Sequence, residues 1–296
     1  MYDVIVVGGS YAGMAAALQL VRARRTVLVV DAGRRRNRFA RTSHGLLGQD
    51  GRAPDAIFAD AKAQLLKYPD LAWRDGVVAS AARDQDGFVV RTGAGDAFTG
   101  RRLVLATGVR DELPDVPGLA ERWGDTVILC PYCHGYEFDR GRLGVLAVSD
   151  LSMHQALLVP DWAGSTVLLT DGAFVPDADQ RRQLAARGVA VEPAPVAEIV
   201  DAASVRLRDG RTIVLDGLFI ATRIDVGPLA RELGCELVDG PLGALIRTDE
   251  MKATSVPGVF ACGDAARAMA SLSLAIGDGA LAGAAVHRSL VFEGLL

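Results

Sequence analysis

The sequence predicts an α/β protein made of two Rossmann-like, three-layer domains, with the second domain inserted into the first. Three observations carry this prediction: a glycine-rich turn between a strand and a helix at the start, a second strand–turn–helix–strand run after position 142, and a strand that ends in Gly-Asp near position 263. A length of 296 residues is enough for two such domains, each with its own core.

The first unit is "YDVIVVGGSYAGMAAALQLVRARRTVLVVDAG", residues 2–33. Gly8 permits a sharp turn after a β-branched strand, and Gly13 lets the following helix pack closely on the sheet. Ser10 stands where a second glycine is usual. Asp31 follows Gly8 by 23 residues, the position from which a carboxylate accepts hydrogen bonds from ribose hydroxyls. The pattern predicts a site for a dinucleotide pyrophosphate at the helix N-terminus, against the alternative of an ordinary βαβ core unit.

The second unit is "RLGVLAVSDLSMHQALLVPDWAGSTVLLTDG", residues 142–172. Its glycine triplet is replaced by Ala147, Val148 and Ser149, and no arginine near Asp171 could bind a 2′-phosphate. Two lost charge-assisted hydrogen bonds, each worth roughly 1.5–3 kcal/mol, would weaken NADPH binding by about a hundredfold to ten-thousandfold. The sequence therefore predicts that this unit keeps the fold but argues against NADPH as a cofactor.

The remaining segments place the domain boundaries. Strands are predicted at 87–92 and 102–108, and the two prolines of "ELPDVPGL" (112–119) mark a crossing between domains. The chain returns through "SVPGVFACGDAA" (255–266). We expect a discontinuous first domain over 1–112 and 244–296, and an inserted domain over 113–243.

Charge and hydropathy narrow the class of protein. A net charge of -4 and a pI near 5.6 argue against a nucleic-acid partner. The basic run "GRRRNR", which ends at Arg38, is either a solvated loop or a basic rim beside a phosphate. The opening residues lack a signal peptide's basic region, and no apolar run reaches the roughly 18 residues that cross a bilayer. We expect a cytoplasmic protein without a membrane partner.

The stretch "CPYCHGYE", residues 130–137, carries the most specific chemistry. A zinc site would need two further ligands near Cys130 and Cys133, and the other two cysteines, Cys235 and Cys262, stand alone, so no metal site is predicted. A purely structural disulfide at this spacing would close too short a loop to constrain the unfolded chain. Thiol–disulfide exchange is the leading interpretation.

The residues after the second cysteine predict how a thiolate could form. A free thiol with a pKa near 8.5 is mostly protonated at neutral pH, and an imidazole beside it is a suitable base. His134 is therefore the candidate acid–base residue, with a hydrogen-bonding turn residue as the alternative. Glu137 either orients this imidazole, acts itself, or serves as a surface or capping residue.

Taken together, these motifs and their order along almost the whole chain resemble the low-molecular-weight thioredoxin reductase family. The resemblance implies FAD in the discontinuous domain, a redox pair in which Cys133 faces the flavin and Cys130 exchanges with substrate, and a homodimer. The positions assigned to the cofactor are Gly8, Ser10, Gly13, Asp31, Arg38, His44, Thr107, Gly108, Gly263 and Asp264.

The details resemble one branch of that family, the dithiol oxidases that close disulfides in gliotoxin- and holomycin-type metabolites. His134 replaces the acid that follows the second cysteine in ordinary reductases, and Ala270 and Ser271 replace their Arg-Gln pair. The resemblance implies an enzyme that passes electrons from a dithiol, small or thioredoxin-like, through the cysteine pair and FAD to oxygen. The alternatives are a thioredoxin reductase fed by NAD(P)H or by a protein donor such as ferredoxin, and a redox sensor without turnover.

Overall fold

A computed structural model describes residues 1–293 of the chain. Its helices are α1 (Tyr11–Arg22), α2 (Pro54–Leu65), α3 (Pro131–His134), α4 (Ser152–Leu158), α5 (Ala178–Ala186), α6 (Leu229–Glu232) and α7 (Leu272–Val291). Its strands are β1 (Tyr2–Val7), β2 (Val27–Asp31), β3 (Leu71–Asp75), β4 (Val78–Asp84), β5 (Gly87–Thr92), β6 (Ala97–Leu105), β7 (Arg110–Glu112), β8 (Val127–Ile128), β9 (Arg142–Leu146), β10 (Ser165–Leu169), β11 (Val189–Glu192), β12 (Val196–Val200), β13 (Ser204–Leu207), β14 (Thr212–Ile213), β15 (Gly217–Ile220), β16 (Arg223–Asp225), β17 (Leu237–Gly240), β18 (Gly243–Ile246) and β19 (Val259–Ala261).

The chain folds into two compact units. The first unit contains Met1–Arg38, Leu46–Arg110 and the C-terminal segment from Ile224, and the second contains Phe39–Gly45 and Asp111–Arg223. The predicted division differs from these bounds at residues 39–45 and 111–112, which lie in the second unit, and at residues 224–243, which lie in the first. That segment carries Leu229 and Ala230, which are buried in one core with residues of the strands β1, β2 and β6.

The first unit is built on a sheet with the strand order β3-β2-β1-β6-β5-β4, in which β19 also pairs with β6. The run from Val4 to Val7 is buried, which explains its continuous β-branched sequence. Helix α7 packs against α1 through small residues. A Cβ on Gly279 would lie 2.0 Å from the Ala12 carbonyl oxygen, and one on Gly283 would lie 2.5 Å from that of Ala16.

The second unit is built on a sheet with the strand order β11-β10-β9-β15-β8, whose pairings are parallel. Helix α3 begins three residues after the carboxyl end of β8. Ligand and catalytic groups in open parallel sheets gather outside the carboxyl ends of the strands. The cysteine pair therefore lies at the edge of the sheet where the fold favours chemistry.

These features confirm the predicted fold class of two Rossmann-like α/β units. The sheet of the first unit is mixed, because β4 and β5 join it through antiparallel pairings and its other pairings are parallel. Within residues 1–293, no helix combines the length and apolar character that crossing a membrane requires.

Candidate active site

The two cysteines of the redox motif are joined. Cys130 precedes helix α3, Pro131 is the first helical residue, and the Cys130–Cys133 disulfide has a Cα–Cα distance of 5.3 Å. The main-chain N–H of Cys133 donates to the carbonyl of Cys130 at 3.1 Å. The Cα separation lies within the ordinary range for a disulfide, so one tight turn presents both sulfurs for exchange.

Close packing fixes this turn from one side. A Cβ on Gly135 would lie 2.6 Å from the carbonyl oxygen of Pro131 and 2.8 Å from Cγ of Trp162, so only glycine fits there. The Trp162 ring meets the Tyr132 ring edge-on at 5.1 Å between centroids. Tyr132, between the two cysteines, remains 63% exposed beside the disulfide.

A buried glutamine holds the chain just before the pair. Gln155, in α4, donates from Nε2 to the carbonyl of Leu129 at 2.6 Å. It is 6% exposed and comes from the "MHQAL" segment, whose role at the site the sequence did not indicate. No local signal marks Gln155, because α4 also carries the polar residues Ser152 and His154.

Two histidines meet beside the turn. His134 Nε2 lies 3.4 Å from the carbonyl oxygen of Thr42, and His44 Nε2 lies 3.3 Å from Glu137 Oε1 and 3.1 Å from Thr42 Oγ1. The two imidazole rings are 6.1 Å apart and nearly perpendicular, at 87°. The imidazole that Glu137 contacts is therefore that of His44, on the 39–45 loop of the second unit.

The environment of His134 favours its neutral form. Burial lowers the pKa of this imidazole below its ordinary value, and the nearby His44 acts in the same direction. The hydrogen bond to Thr42 and the negative charge of Glu137 oppose the shift without reversing it. A neutral imidazole is the form that can take a proton from a thiol, and a lowered pKa keeps it available at neutral and mildly acidic pH.

A second set of predicted residues gathers at the start of α1, in the first unit. Gly8 has φ +98°, and a Cβ there would lie 2.2 Å from the carbonyl oxygen of Ala106. A Cβ on Gly13 would lie 1.8 Å from the Gly8 carbonyl oxygen, and one on Gly263 would lie 2.8 Å from Cβ of Ala12. The turn after β1 is thus packed against the end of β6, where the sequence predicted Thr107 and Gly108, and against the Gly-Asp turn.

This arrangement fits the pyrophosphate of a dinucleotide. Ser10 is the N-cap of α1 but makes no capping hydrogen bond, and the first turn of the helix holds no acidic residue. The positive end of the helix dipole therefore faces the glycine turn without a capping side chain, which is the arrangement that anionic groups bind. Asp31, at the end of β2, is buried and accepts from the Gly9 N–H at 3.0 Å.

The basic run contributes Arg36 to this region. Arg36 pairs with Asp264 at 2.9 Å, whereas Arg38, the residue assigned from the sequence, is exposed and donates to the carbonyl of Arg35. The short 3₁₀ turn at Arg36–Phe39 points neighbouring residues in different directions, which sequence spacing alone did not indicate.

A buried carboxylate supports the Gly-Asp turn. Asp278, in α7, accepts from the Gly263 N–H at 2.9 Å and pairs with Arg267 at 3.1 Å and Lys252 at 2.5 Å. Cys262 beside it is fully buried, and burial raises the pKa of its thiol to about 12. Such a thiol is inert in exchange, so the chemistry stays with the half-buried Cys130–Cys133 pair.

The corresponding turn of the second unit is filled by its own side chains. The Val148 N–H donates to Ser152 Oγ at 3.1 Å, and the Leu151 N–H donates to Ser149 Oγ at 3.3 Å. The carboxylate of Asp171, after β10, accepts from the Val196 N–H at 2.6 Å. Donors and an acceptor that a second dinucleotide would need are already bonded within the chain.

Comparison with known proteins places this architecture in a family. The chain matches the family model described as pyridine nucleotide-disulphide oxidoreductase over residues 2–148 and 173–279. It belongs to the pyridine nucleotide-disulphide oxidoreductase family. The thioredoxin reductase tcpT of Claviceps purpurea is 32% identical, over 98% of this chain and 95% of that protein.

Solved structures of similar sequence have the same fold. An oxidoreductase from Agrobacterium tumefaciens is 52% identical with a TM-score of 0.95, over 99% of both chains. HlmI is 38% identical with a TM-score of 0.92, over 99% of this chain and 94% of that one. The chain is therefore a flavin-dependent disulfide oxidoreductase of the thioredoxin reductase type, the class of enzyme and the family predicted from its sequence.

Proposed function

We propose that this protein is an FAD-dependent dithiol oxidase. One juxtaposition supports the proposal most strongly. A redox disulfide with two histidines beside it sits on a unit whose own nucleotide turn is occupied by Ser149 and Ser152. The site is equipped to take electrons from thiols and poorly equipped to take them from a nicotinamide.

The proposed exchange balances as follows. One substrate thiolate attacks Cys130 Sγ, the Cys130–Cys133 bond breaks, and a mixed disulfide forms with Cys133 leaving as a thiolate. The second substrate thiolate then attacks the substrate sulfur of the mixed disulfide and releases Cys130. The substrate loses two electrons and two protons, and the enzyme pair gains two electrons. His134, held neutral by burial, accepts a proton from the attacking thiol.

The cofactor residues belong to the first unit. Gly8 and Gly13 would bring the backbone close to the FAD pyrophosphate, and Asp31 would bind ribose. Asp264, which pairs with Arg36, would contact the cofactor from the Gly-Asp turn. When bound, FAD accepts the electron pair from the cysteine thiols and delivers it to an acceptor, which we propose is oxygen. A cytoplasmic homodimer remains the prediction from the sequence.

A thioredoxin reductase that runs in the opposite direction is the second candidate. The name of the tcpT relative favours it. That function needs an electron donor, either NAD(P)H at the second unit or a protein donor such as ferredoxin. The internal bonds of Val148, Leu151 and Asp171 weigh against the nicotinamide donor.

Oxygen uptake separates the two directions. With dithiothreitol as the probe dithiol, we expect sustained oxygen consumption in an oxygen electrode, with one peroxide formed for each dithiothreitol oxidised. NADPH in place of the dithiol should give no uptake above background. Sustained NADPH-driven reduction of a disulfide probe, without dithiol-driven oxygen uptake, would establish the reductase instead.

A further inference from the structure

Trp73, in β3, packs against the glycine turn of the first unit. A Cβ on Gly9 would lie 2.4 Å from Cη2 and 2.7 Å from Cζ2 of the Trp73 indole, and 2.8 Å from Cβ of Asp31. Gly9 is itself buried. The six-membered edge of the indole and the Asp31 side chain therefore converge on one glycine, and any side chain at position 9 would overlap the ring.

Neighbouring side chains hold the indole in its orientation. Its Nε1 donates to Asp75 Oδ1 at 2.9 Å, and the Lys62 ammonium lies 4.2 Å from the ring centroid. The Phe58 ring meets the indole edge-on, at 6.4 Å between centroids and 71° between planes. Lys62 and Phe58 both belong to α2, so this helix and Asp75 together fix the ring.

The contact lies where the adenosine half of a dinucleotide would bind. Strands β2 and β3 pair with Asp31 opposite Asp75, so Trp73 stands two residues before the carboxyl edge of the sheet. Asp31 accepts from the Gly9 N–H at 3.0 Å and is the acid that would bind ribose. The indole, the turn and the acid thus form one packed set, and a change in the ring would displace groups that the cofactor needs.

We propose that Trp73 is a positioning residue of the FAD site. Its indole is the floor against which Gly9 and Asp31 are held, so the turn and the ribose-binding carboxylate are in place before the cofactor binds. This inference rests on the proposed cofactor. It concerns the adenosine half of FAD, which takes no part in the redox chemistry.

A cycle of substitutions at the two contacting residues tests the packing. Gly9→Ala should weaken FAD binding to the apoprotein about tenfold to a hundredfold, because its methyl group overlaps the indole. In a Trp73→Leu background the same substitution should cost at least about fivefold less. The remaining cost comes from Asp31 Cβ, 2.8 Å from the added atom. Gly13→Ala is the matched control, since its Cβ would overlap the Gly8 carbonyl oxygen at 1.8 Å, and Trp73→Leu should not relieve its loss.

Tryptophan emission gives a second readout, which needs no flavin. Of the three tryptophans, Trp73 lies in the first unit, and Trp123 and Trp162 lie in the second. ADP carries the pyrophosphate and adenosine of FAD but does not absorb where indole emits. Saturating ADP should therefore change the emission of the wild-type apoprotein through the surroundings of Trp73. The change should be lost in Trp73→Phe and persist in Trp123→Phe.

Three results would overturn the inference. The first is an equal cost of Gly9→Ala with and without the indole, and the second is an ADP-induced emission change that survives in Trp73→Phe. The third is relief of Gly13→Ala by Trp73→Leu, which would mean a general loosening of the unit. A wild-type apoprotein that binds neither FAD nor ADP would refute the proposed cofactor, and this inference with it.

Discussion

Cys133→Ser should abolish dithiol-driven turnover, by more than about a thousandfold, while FAD remains bound. A serine hydroxyl cannot close the disulfide with Cys130, so no electron pair can leave the substrate through the pair. FAD content should persist because the glycine turn that would bind it lies in the other unit. Oxygen consumption with dithiothreitol measures the first effect, and the flavin absorbance of the purified protein measures the second.

The same variant should capture a disulfide probe on Cys130. With Cys133 absent, an oxidised probe disulfide should leave a mixed disulfide on Cys130, visible as a mass increase of one probe half that dithiothreitol removes. Cys235→Ser is the matched control, since that thiol is buried and donates to Thr254 Oγ1 at 3.6 Å, and it should turn over like the wild type. Turnover retained in Cys133→Ser would rule out the exchange chemistry proposed for the pair.

Gly13→Ala should weaken FAD binding by about tenfold to a hundredfold. The added Cβ would lie 1.8 Å from the Gly8 carbonyl oxygen, so helix α1 must move away from the turn. Overpacking of this kind typically costs about 1–3 kcal/mol, and 1.4 kcal/mol is a tenfold change in affinity. Titration of the apoprotein with FAD, followed by quenching of flavin fluorescence, measures the change.

The control for this substitution lies in α7. A Cβ on Gly277 would meet nothing within 4 Å, so Gly277→Ala should leave FAD affinity unchanged and stabilise the helix by about 1 kcal/mol. Melting of both apoproteins separates lost affinity from lost folding. Wild-type affinity in Gly13→Ala would contradict the assignment of this turn to the cofactor.

Local sequence predicted most of the first nucleotide unit because each requirement lies within about 30 residues. The strand β1, the turn at Gly8, the helix α1 and the acid at Asp31 occur in the predicted order. The same kind of pattern also predicted the second strand–turn–helix–strand run, at residues 142–172. The replacement of its glycines by Val148 and Ser149 predicted loss of nucleotide contacts, and the structure adds that serine hydroxyls occupy those N–H groups.

The histidine cluster could not be predicted in detail because it joins distant segments. The sequence pointed to His44, His134 and Glu137 separately. The contact of Glu137 with His44, and those of Thr42 with both histidines, depend on how the 39–45 loop lies in the second unit. Arg36 rather than Arg38 reaches Asp264 for a related reason, since a 3₁₀ turn between them sets side-chain direction. Residues 224–243 lie in the first unit because Leu229 and Ala230 are buried in its core, and no local sequence motif predicts that packing.

The central claim is that electrons enter through the cysteine pair and not from a nicotinamide. An anaerobic titration of the flavin absorbance of the wild-type holoenzyme tests it most directly. We expect dithiothreitol to bleach the flavin within the time of one turnover. NADPH at micromolar concentration should leave the flavin oxidised over minutes. Rapid bleaching by NADPH, with dithiothreitol inert, would contradict the account.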